Sequence, residues 1–134
     1  MLNVVVALVL LAHGIGHSMG LLQIFRIATV NPQWQGDSWI LTSVAGGPAT
    51  QAIGAVVWIA AIAGFTLLAG VVMGWLPAAW WQPLAIGSAV VSLVGIALFP
   101  IAFPVLSTVG ALVVDVVLLA AVLGYHYVPS GIAA

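Results

Sequence analysis

Two histidines four residues apart, His13 and His17, are the side chains best suited to chemistry in this sequence, and both lie in the apolar run AHGIGH. The chain of 134 residues has only three histidines, two acidic residues and one basic residue. Residues four apart share one face of a helix, so we expect both imidazoles to point the same way. Ionisable groups inside a membrane-spanning helix are costly and usually functional. The pair is therefore the first candidate site.

Asp115 supplies the carboxylate expected to pair with these imidazoles. It shares one helical face with Thr108 and His126, because the spacings of seven and eleven residues are close to whole turns. His126 lies between Tyr125 and Tyr127, a setting typical of residues that anchor a helix at the membrane interface. Asp115 is then the residue of this face expected to act in the membrane interior.

The distances along the helices predict where these groups meet. At a rise of ~1.5 Å per residue, His17 lies about 17 Å from Ala28, where the first span is expected to end. Asp115 lies about 15 Å from Val105, the expected start of the last span. Both ends belong to one side of the membrane when successive spans alternate in direction. His17 and Asp115 are therefore predicted to pair near the midplane, with His13 beside them, about 6 Å further along its helix.

Two imidazoles beside a carboxylate support several kinds of chemistry. They can hold a quinone carbonyl or pass a proton. His13, His17 and Asp115 together would also suit a single zinc or iron ion. A haem held by two axial histidines is disfavoured because both histidines lie on one helix. The zinc-protease motif HExxH is not matched, because the glutamate is missing.

A purely structural role is the alternative, because polar side chains also join membrane helices, at ≈0.6 kcal/mol per hydrogen bond on average. Three further residues are candidates to line the site, namely Trp58, Thr108 and Gln51. Trp58 is expected mainly to fill the core, and its N–H needs a hydrogen-bond acceptor there.

The composition limits where this chemistry can take place. Hydrophobic residues make up 65% of the chain and charged residues 2%, against roughly 25% charged residues in soluble domains. The sequence therefore predicts an integral membrane protein with the lipid bilayer as its surroundings. The absence of cysteine excludes disulfides, thiolate metal sites and covalent haem attachment. No basic patch is present, so nucleic acid is not an expected partner.

Four spans account for nearly the whole length and predict an all-α, antiparallel four-helix transmembrane bundle in a single domain. They are expected at residues 2–28, 48–75, 83–99 and 105–128, with an interfacial connection over residues 29–47. Pro48 suits the first position of the second helix. An even number of spans puts both ends of the chain on one side, while a single arginine leaves the orientation open.

Tryptophans mark the two expected interfaces, Trp34 and Trp39 on one side and Trp75, Trp80 and Trp81 on the other. Small residues recur at helical spacing on three of the predicted helices, where helices can approach closely. These stripes are Ala12, Gly16 and Gly20; Gly70 and Gly74; and Ser88, Ser92 and Gly95. They could serve contacts within the bundle, in a homo-oligomer or with a larger membrane complex.

The first span also resembles known sequences. The motif HGIGH at residues 13–17, followed by GLLQIF at residues 20–25, resembles small bacterial four-span membrane proteins with an HGxxH motif. It is similar, more distantly, to the DoxX-like group. The resemblance implies a small protein of the bacterial cytoplasmic membrane, of a kind sometimes linked to quinone-dependent redox systems.

The sequence thus predicts a small membrane protein with a buried His/Asp site that binds a lipophilic or redox ligand, such as a quinone, or a single metal ion. It is not expected to be an enzyme on its own. One alternative is an accessory subunit packed on a larger membrane complex. A second is a proton or small-ion pathway, which would require a water-filled route from His13, His17 and Asp115 to one surface.

Overall fold

Long apolar helices make up the computed structural model of the chain, which describes residues 1–130 and residue 132. Four of its helical segments are long and apolar enough to cross a membrane, namely Leu2–Ile24, Gly47–Val72, Ala78–Leu98 and Val105–Gly124. No strand occurs among the described residues. The chain is therefore all-helical, as predicted.

The first long segment is divided at His17, and the last ends in a wider helical turn. The helices are α1 (Leu2–Gly16), α2 (Ser18–Ile24), the short α3 (Leu41–Ala45), α4 (Gly47–Val72), α5 (Trp81–Leu98) and α6 (Val105–Leu119). A single 3-10 turn, Ala78–Trp80, precedes α5, and a π-helical turn, Ala120–Gly124, follows α6. Proline lies in the first turn of α4, where its missing N–H costs nothing. Gly74, with φ +75°, ends that helix.

Close contacts at glycines show that neighbouring helices run in opposite directions. A β-carbon at Gly14 would lie 2.9 Å from Phe65 Cβ, and one at Gly20 would lie 2.6 Å from Trp58 Nε1. Residue numbers thus rise along α1 and α2 while they fall along α4. The same holds for α4 and α5, where Gly64 contacts Ser88. Because glycine has no side chain, the helix backbones approach closely at these positions. The close approach brings polar groups of different helices within hydrogen-bond distance.

The last helix, α6, packs mainly on α5 and meets α1 along a looser seam. It leaves a long apolar face uncovered in the monomer. The exposed residues of this face include Leu106, Val109, Val113, Val116 and Val117. Asp115 is fully buried on the opposite face, so the one carboxylate of this helix points inward.

The first span is shorter than the predicted 2–28 and ends at Ile24. The side chain of Gln23 explains the early end. Its Oε1 accepts hydrogen bonds from the backbone N–H groups of Val30 and Asn31, and its Nε2 donates to the carbonyls of Asn31 and Trp34. The chain thus turns back onto the helix end. Arg26 takes the left-handed conformation in this turn, with φ 57°.

The other boundaries differ less. The second and third spans lie at Gly47–Val72 and Ala78–Leu98, against the predicted 48–75 and 83–99. The fourth ends at Gly124 rather than at residue 128. Its last turn is π-helical, and His126 just beyond it takes a left-handed conformation, with φ 49°, that does not continue the helix. The predicted connection over residues 29–47 contains α3. Its Trp34 is fully buried, with Nε1 donating to the Asp37 carbonyl at 2.7 Å, and so does not lie in an exposed aromatic belt.

Candidate functional site

Four polar side chains form one continuous hydrogen-bonded chain in the interior. His13 Nε2 lies 2.9 Å from Asp115 Oδ1. The Ser92 hydroxyl donates to Asp115 Oδ2 at 2.5 Å and lies 3.1 Å from His17 Nε2. Asp115 and Ser92 are fully buried, and the side chain of His13 is only 6% exposed. We call these residues the His–Asp–Ser–His chain.

Three different helices supply the His–Asp–Ser–His chain. The spacing of four residues puts both histidines on one side of the first long segment, with His17 at the junction of α1 and α2. Ser92 comes from α5, and Asp115 comes from the inward face of α6. Every hydrogen bond of the His–Asp–Ser–His chain joins two different helices. These bonds therefore hold α1, α5 and α6 in register.

Aromatic rings surround the two imidazoles. The ring of His17 stacks on the Trp58 indole with centroids 5.4 Å apart and planes 9° apart. The ring of Phe65 meets His13 edge-on at 4.4 Å, and the two imidazoles lie 5.0 Å apart. Phe103 contacts both His17 and Trp58. Packing on several sides fixes the imidazole orientations.

A cavity of about 160 Å³ lies beside the two imidazoles, in the seam between α1 and α6. Its other walls are small or apolar, and the lining residues are Ala12, His13, Gly16, His17, Met19, Phe103, Ser107 and Ala111. No heavy atom lies within 4 Å of a β-carbon placed at Gly16. Ala12 is exposed on the outer surface. The cavity thus reaches from the buried histidines toward the outside of the helices, between two of them.

The structure corrects the predicted pairing of His17 with Asp115. The direct partner of Asp115 is His13, and His17 reaches the carboxylate only through Ser92. The two histidines are one helical turn apart, about 6 Å. The pairing therefore depends on a relative shift of α1 and α6 that spacing within each helix does not reveal.

Ser92 is the functional residue that sequence reasoning missed. Its position in a stripe with Ser88 and Gly95 predicted a packing role, and Gly95 does pack closely, against Trp58. The signal that could have identified Ser92 is its hydroxyl, because a buried hydroxyl in an apolar helix needs a hydrogen-bond partner. A buried carboxylate with two oxygens to satisfy is such a partner.

None of the three predicted lining residues, Trp58, Thr108 and Gln51, lines the cavity. The hydroxyl of Thr108 donates to backbone carbonyls of the preceding turn, and Ser107 lines the cavity in its place. Gln51 contacts the first connection, with Nε2 3.4 Å from the Gln35 carbonyl. Trp58 stacks on His17 as a fully buried core residue, but its Nε1 has no hydrogen-bond partner among the described residues. The acceptor expected for this N–H is therefore missing.

The predicted metal-ligand set is not assembled. No group of three histidine, cysteine or acidic side chains is placed to hold a metal ion within the part of the chain that the structure describes. Nε2 of each histidine is already occupied by a hydrogen bond within the His–Asp–Ser–His chain. His126 is exposed near the end of the fourth segment and far along the chain from this site.

A second, more polar recess of about 370 Å³ lies at the first connection. Its lining includes Gln23, Arg26, Trp34, Gln35 and Gln51. The ring of Trp34, which lines this recess, contacts Phe99, and Phe99 contacts Trp58. Trp58 and Trp34 are fully buried and Phe99 nearly so, so a row of packed rings connects the edge of the recess with His17.

Comparison of the chain with protein-family models, with curated proteins and with solved structures finds no match. The resemblance of the first span to HGxxH and DoxX-like proteins therefore stays a prediction.

Proposed function

We propose that this chain is an integral membrane protein that binds a lipophilic ring-shaped ligand in the seam between α1 and α6. Four long apolar helical segments and an almost complete lack of charge support insertion in a bilayer. In that setting the seam between two helices opens sideways toward lipid. A ligand dissolved in the membrane can enter there without passing through water.

The single observation that carries this proposal is the cavity, with two hydrogen-bonded imidazoles at its inner end and apolar walls elsewhere. Ligand sites typically combine apolar walls with a few well-placed polar groups. The volume of about 160 Å³ suits one six-membered ring, because an apolar cavity of about 150 Å³ holds benzene. A quinone-type ring matches this size, with any tail left outside between the helices.

The residues of the site have distinct tasks in this proposal. His13 and His17 contact the polar end of the ligand. Asp115 and Ser92 act through the imidazoles, because they hold each Nε2 and so fix the ring orientation and tautomer. Phe103 and Met19 pack against the ring of the ligand and exclude water from its polar end.

The structure favours ligand binding over the two rivals. A proton or small-ion pathway needs a water-filled route, whereas the contacts from the polar recess to His17 run through the buried rings of Trp34, Phe99 and Trp58. An accessory subunit would use its glycine stripes for external contacts. Gly20 and Gly95 are instead covered by Trp58 of the same chain, and Gly74 ends a helix.

The proposal is tested by purifying the protein in mild detergent and analysing what comes with it. Mass spectrometry of extracted lipophiles should find a ring-containing lipid near one molecule per protein. The His13→Ala/His17→Ala double variant should lose it, and His126→Ala, which alters an exposed histidine, should retain it. An optical spectrum and metal analysis of the same samples test for haem and metal. A folded protein with no ligand, or with the same ligand in the double variant, would overturn the proposal.

A further inference from the structure

The hydrogen bonds of the His–Asp–Ser–His chain have a direction, set by which groups carry protons. A carboxylate only accepts hydrogen bonds. With Asp115 ionised, Oδ1 therefore accepts a hydrogen bond from the N–H at His13 Nε2, and Oδ2 accepts one from the Ser92 hydroxyl. With that hydroxyl proton used, Ser92 Oγ can only accept at its contact with His17 Nε2. Both histidines thus carry a proton on Nε2.

This arrangement defines what the imidazoles offer to a ligand. A neutral imidazole with its proton on Nε2 has a free lone pair on Nδ1, which is a hydrogen-bond acceptor. Neither Nδ1 has a hydrogen-bond partner among residues 1–130 and 132. Both histidines line the cavity. In the neutral state, and with Nδ1 turned to the cavity, the two imidazoles offer it two acceptors; their ring centroids lie 5.0 Å apart.

We propose that the ligand of this cavity is a hydrogen-bond donor, a lipophilic phenol or the hydroquinone form of a quinone, and that the oxidised quinone binds more weakly. This inference rests on the proposed function and names the class of ligand. A hydroxyl of the ring donates to Nδ1 of His13 or His17. A quinone carbonyl oxygen at the same place would set its own lone pairs against the lone pair of Nδ1, with no proton between them.

The neighbouring walls offer little to a carbonyl. The lining holds one further hydroxyl, that of Ser107, and apolar or small side chains. The unpaired N–H of Trp58 is not an alternative donor, because Nε1 faces Gly20 and Trp58 does not line the cavity. Sites built to hydrogen-bond one partner reject an analogue that lacks the matching group. We expect the hydroquinone to bind about tenfold or more tightly than the quinone.

Asp115→Asn gives a sharp test, because it should remove the preference without removing the side chain. In one amide orientation Nδ2 donates to His13 Nε2, which moves the His13 proton to Nδ1. In the other orientation Nδ2 donates to Ser92, whose hydroxyl then donates to His17 Nε2 and moves that proton to Nδ1. In both cases one imidazole changes from acceptor to donor at the cavity. The cavity of this variant then offers one donor and one acceptor, so it should lose the preference and bind quinone and hydroquinone about equally. Asp37→Asn, in the exposed connection, is the matched control.

The experiment measures binding to the whole protein in lipid nanodiscs, under anaerobic conditions. The probes are a short-chain alkyl benzoquinone and its hydroquinone, and 4-pentylphenol with its methyl ether. The methyl ether lacks the O–H donor of 4-pentylphenol, so this pair tests the donor without any change of oxidation state. Nitrogen NMR of the imidazoles reports in parallel which nitrogen carries the proton.

The expected result is tighter binding of the hydroquinone and the phenol by the wild type, with this preference lost in Asp115→Asn and kept in Asp37→Asn. If the wild type binds both members of each pair equally, or binds the quinone more tightly, the inferred preference for a hydrogen-bond donor is overturned. The proposed ligand site itself would still stand. Absence of specific binding for all four probes would overturn the proposed function itself. A proton on Nδ1 of both histidines in the wild type would overturn the assignment of hydrogen-bond directions.

Discussion

Asp115 is the costliest residue in the interior, and the structure satisfies both of its oxygens. One oxygen lies against His13 and the other against Ser92, with the residue fully buried. Rarity of charge made this residue and the two histidines recognisable in the sequence. The identity of the direct partner was not predictable, because a shift of one helical turn exchanges His13 for His17.

Asp115→Ala should therefore lower stability strongly. The change leaves His13 Nε2 and the Ser92 hydroxyl buried without an acceptor, at about 1–3 kcal/mol for each group. Thermal unfolding in detergent, followed by circular dichroism, measures the loss. Asp37→Ala is the control, since Asp37 is exposed, and it should shift the midpoint little. Equal midpoints for the two variants would contradict the role of the buried carboxylate.

Trp34 and Trp58 allow a second test at this scale, because both are fully buried but only one uses its N–H. Trp34 Nε1 donates to the Asp37 carbonyl at 2.7 Å, whereas Trp58 Nε1 has no partner among the described residues. Replacement by phenylalanine leaves a similar space at each site. Trp34→Phe also breaks a hydrogen bond, while Trp58→Phe removes an unpaired donor.

Trp34→Phe should thus be the more destabilising of the two by about 1–3 kcal/mol. Chemical unfolding of both variants in the same detergent measures the difference. A larger loss for Trp58→Phe would mean that its N–H has an acceptor in solution.

At the scale of helices, the small residues of the first segment have two different tasks. Gly20 lies against Trp58, so a β-carbon there would come within 2.6 Å of Nε1. Gly16 lines the cavity, with no heavy atom within 4 Å of the same position. The spacing of Ala12, Gly16 and Gly20 predicted one contact stripe. It could not separate the part that packs from the part that borders a cavity, since both need small residues.

Gly20→Ala should destabilise the fold by about 1–3 kcal/mol, the usual effect of overpacking. Gly16→Leu should leave thermal stability nearly unchanged, because its side chain extends into open space. It should abolish retention of the lipophilic ligand, since the side chain occupies the place of the ring. Unfolding curves and mass spectrometry on both variants test this. Retention of ligand by stable Gly16→Leu protein would show that the ligand lies elsewhere.

Gln23 joins the end of the first segment to the connection that follows. Its side chain makes hydrogen bonds with the backbone of Val30, Asn31 and Trp34. The sequence predicted a span through residue 28, because an amide side chain in an apolar run does not reveal that it binds the returning backbone. The early helix end follows from these long-range bonds and not from local propensity.

Gln23→Leu should release this connection while the apolar helix remains. We expect faster amide hydrogen exchange at residues 30–34 by about an order of magnitude or more, since about 1.4 kcal/mol corresponds to tenfold and several bonds are lost. Gln33→Leu, at an exposed position of the same connection, is the matched control and should exchange as the wild type does. Unchanged protection in Gln23→Leu would assign the helix end to another cause.

At the scale of the molecule, hydrophobic runs and their interruptions were sufficient to predict an all-helical chain with four long segments. So little charge predicts an apolar environment for the chain. There the backbone N–H and C=O groups must bond to one another, which a helix achieves within a single segment. Which helices lie side by side, and how closely they pack, was not predictable to the same degree. The helices α4 and α5 pack closely at Gly64 and Gly95, whereas α1 and α6 meet along a loose seam that holds the cavity, and no pattern in the sequence distinguishes the two contacts.

Contacts between connections divide the surface of the molecule into two ends. Asn31 Nδ2 donates to the Ile101 carbonyl at 2.6 Å, which joins the first connection to the one before α6. Trp81 Nε1 donates to the Tyr127 carbonyl at 2.9 Å, and Asn3 Nδ2 donates to the Ser130 carbonyl. The start of α1, the start of α5 and the residues after α6 therefore lie together at the other end.

The proposed insertion of the four long segments in a bilayer requires these two ends to lie on opposite sides. Because the sequence has no cysteine, single cysteines report on one position each. Gln33→Cys and Ile101→Cys should react with a membrane-impermeant maleimide from one side of sealed vesicles. Trp75→Cys and Tyr125→Cys, both at highly exposed positions, should react only from the other side. Labelling of all four from the same side would contradict a spanning bundle, and would also remove the lipid-facing entrance on which ligand binding between α1 and α6 depends.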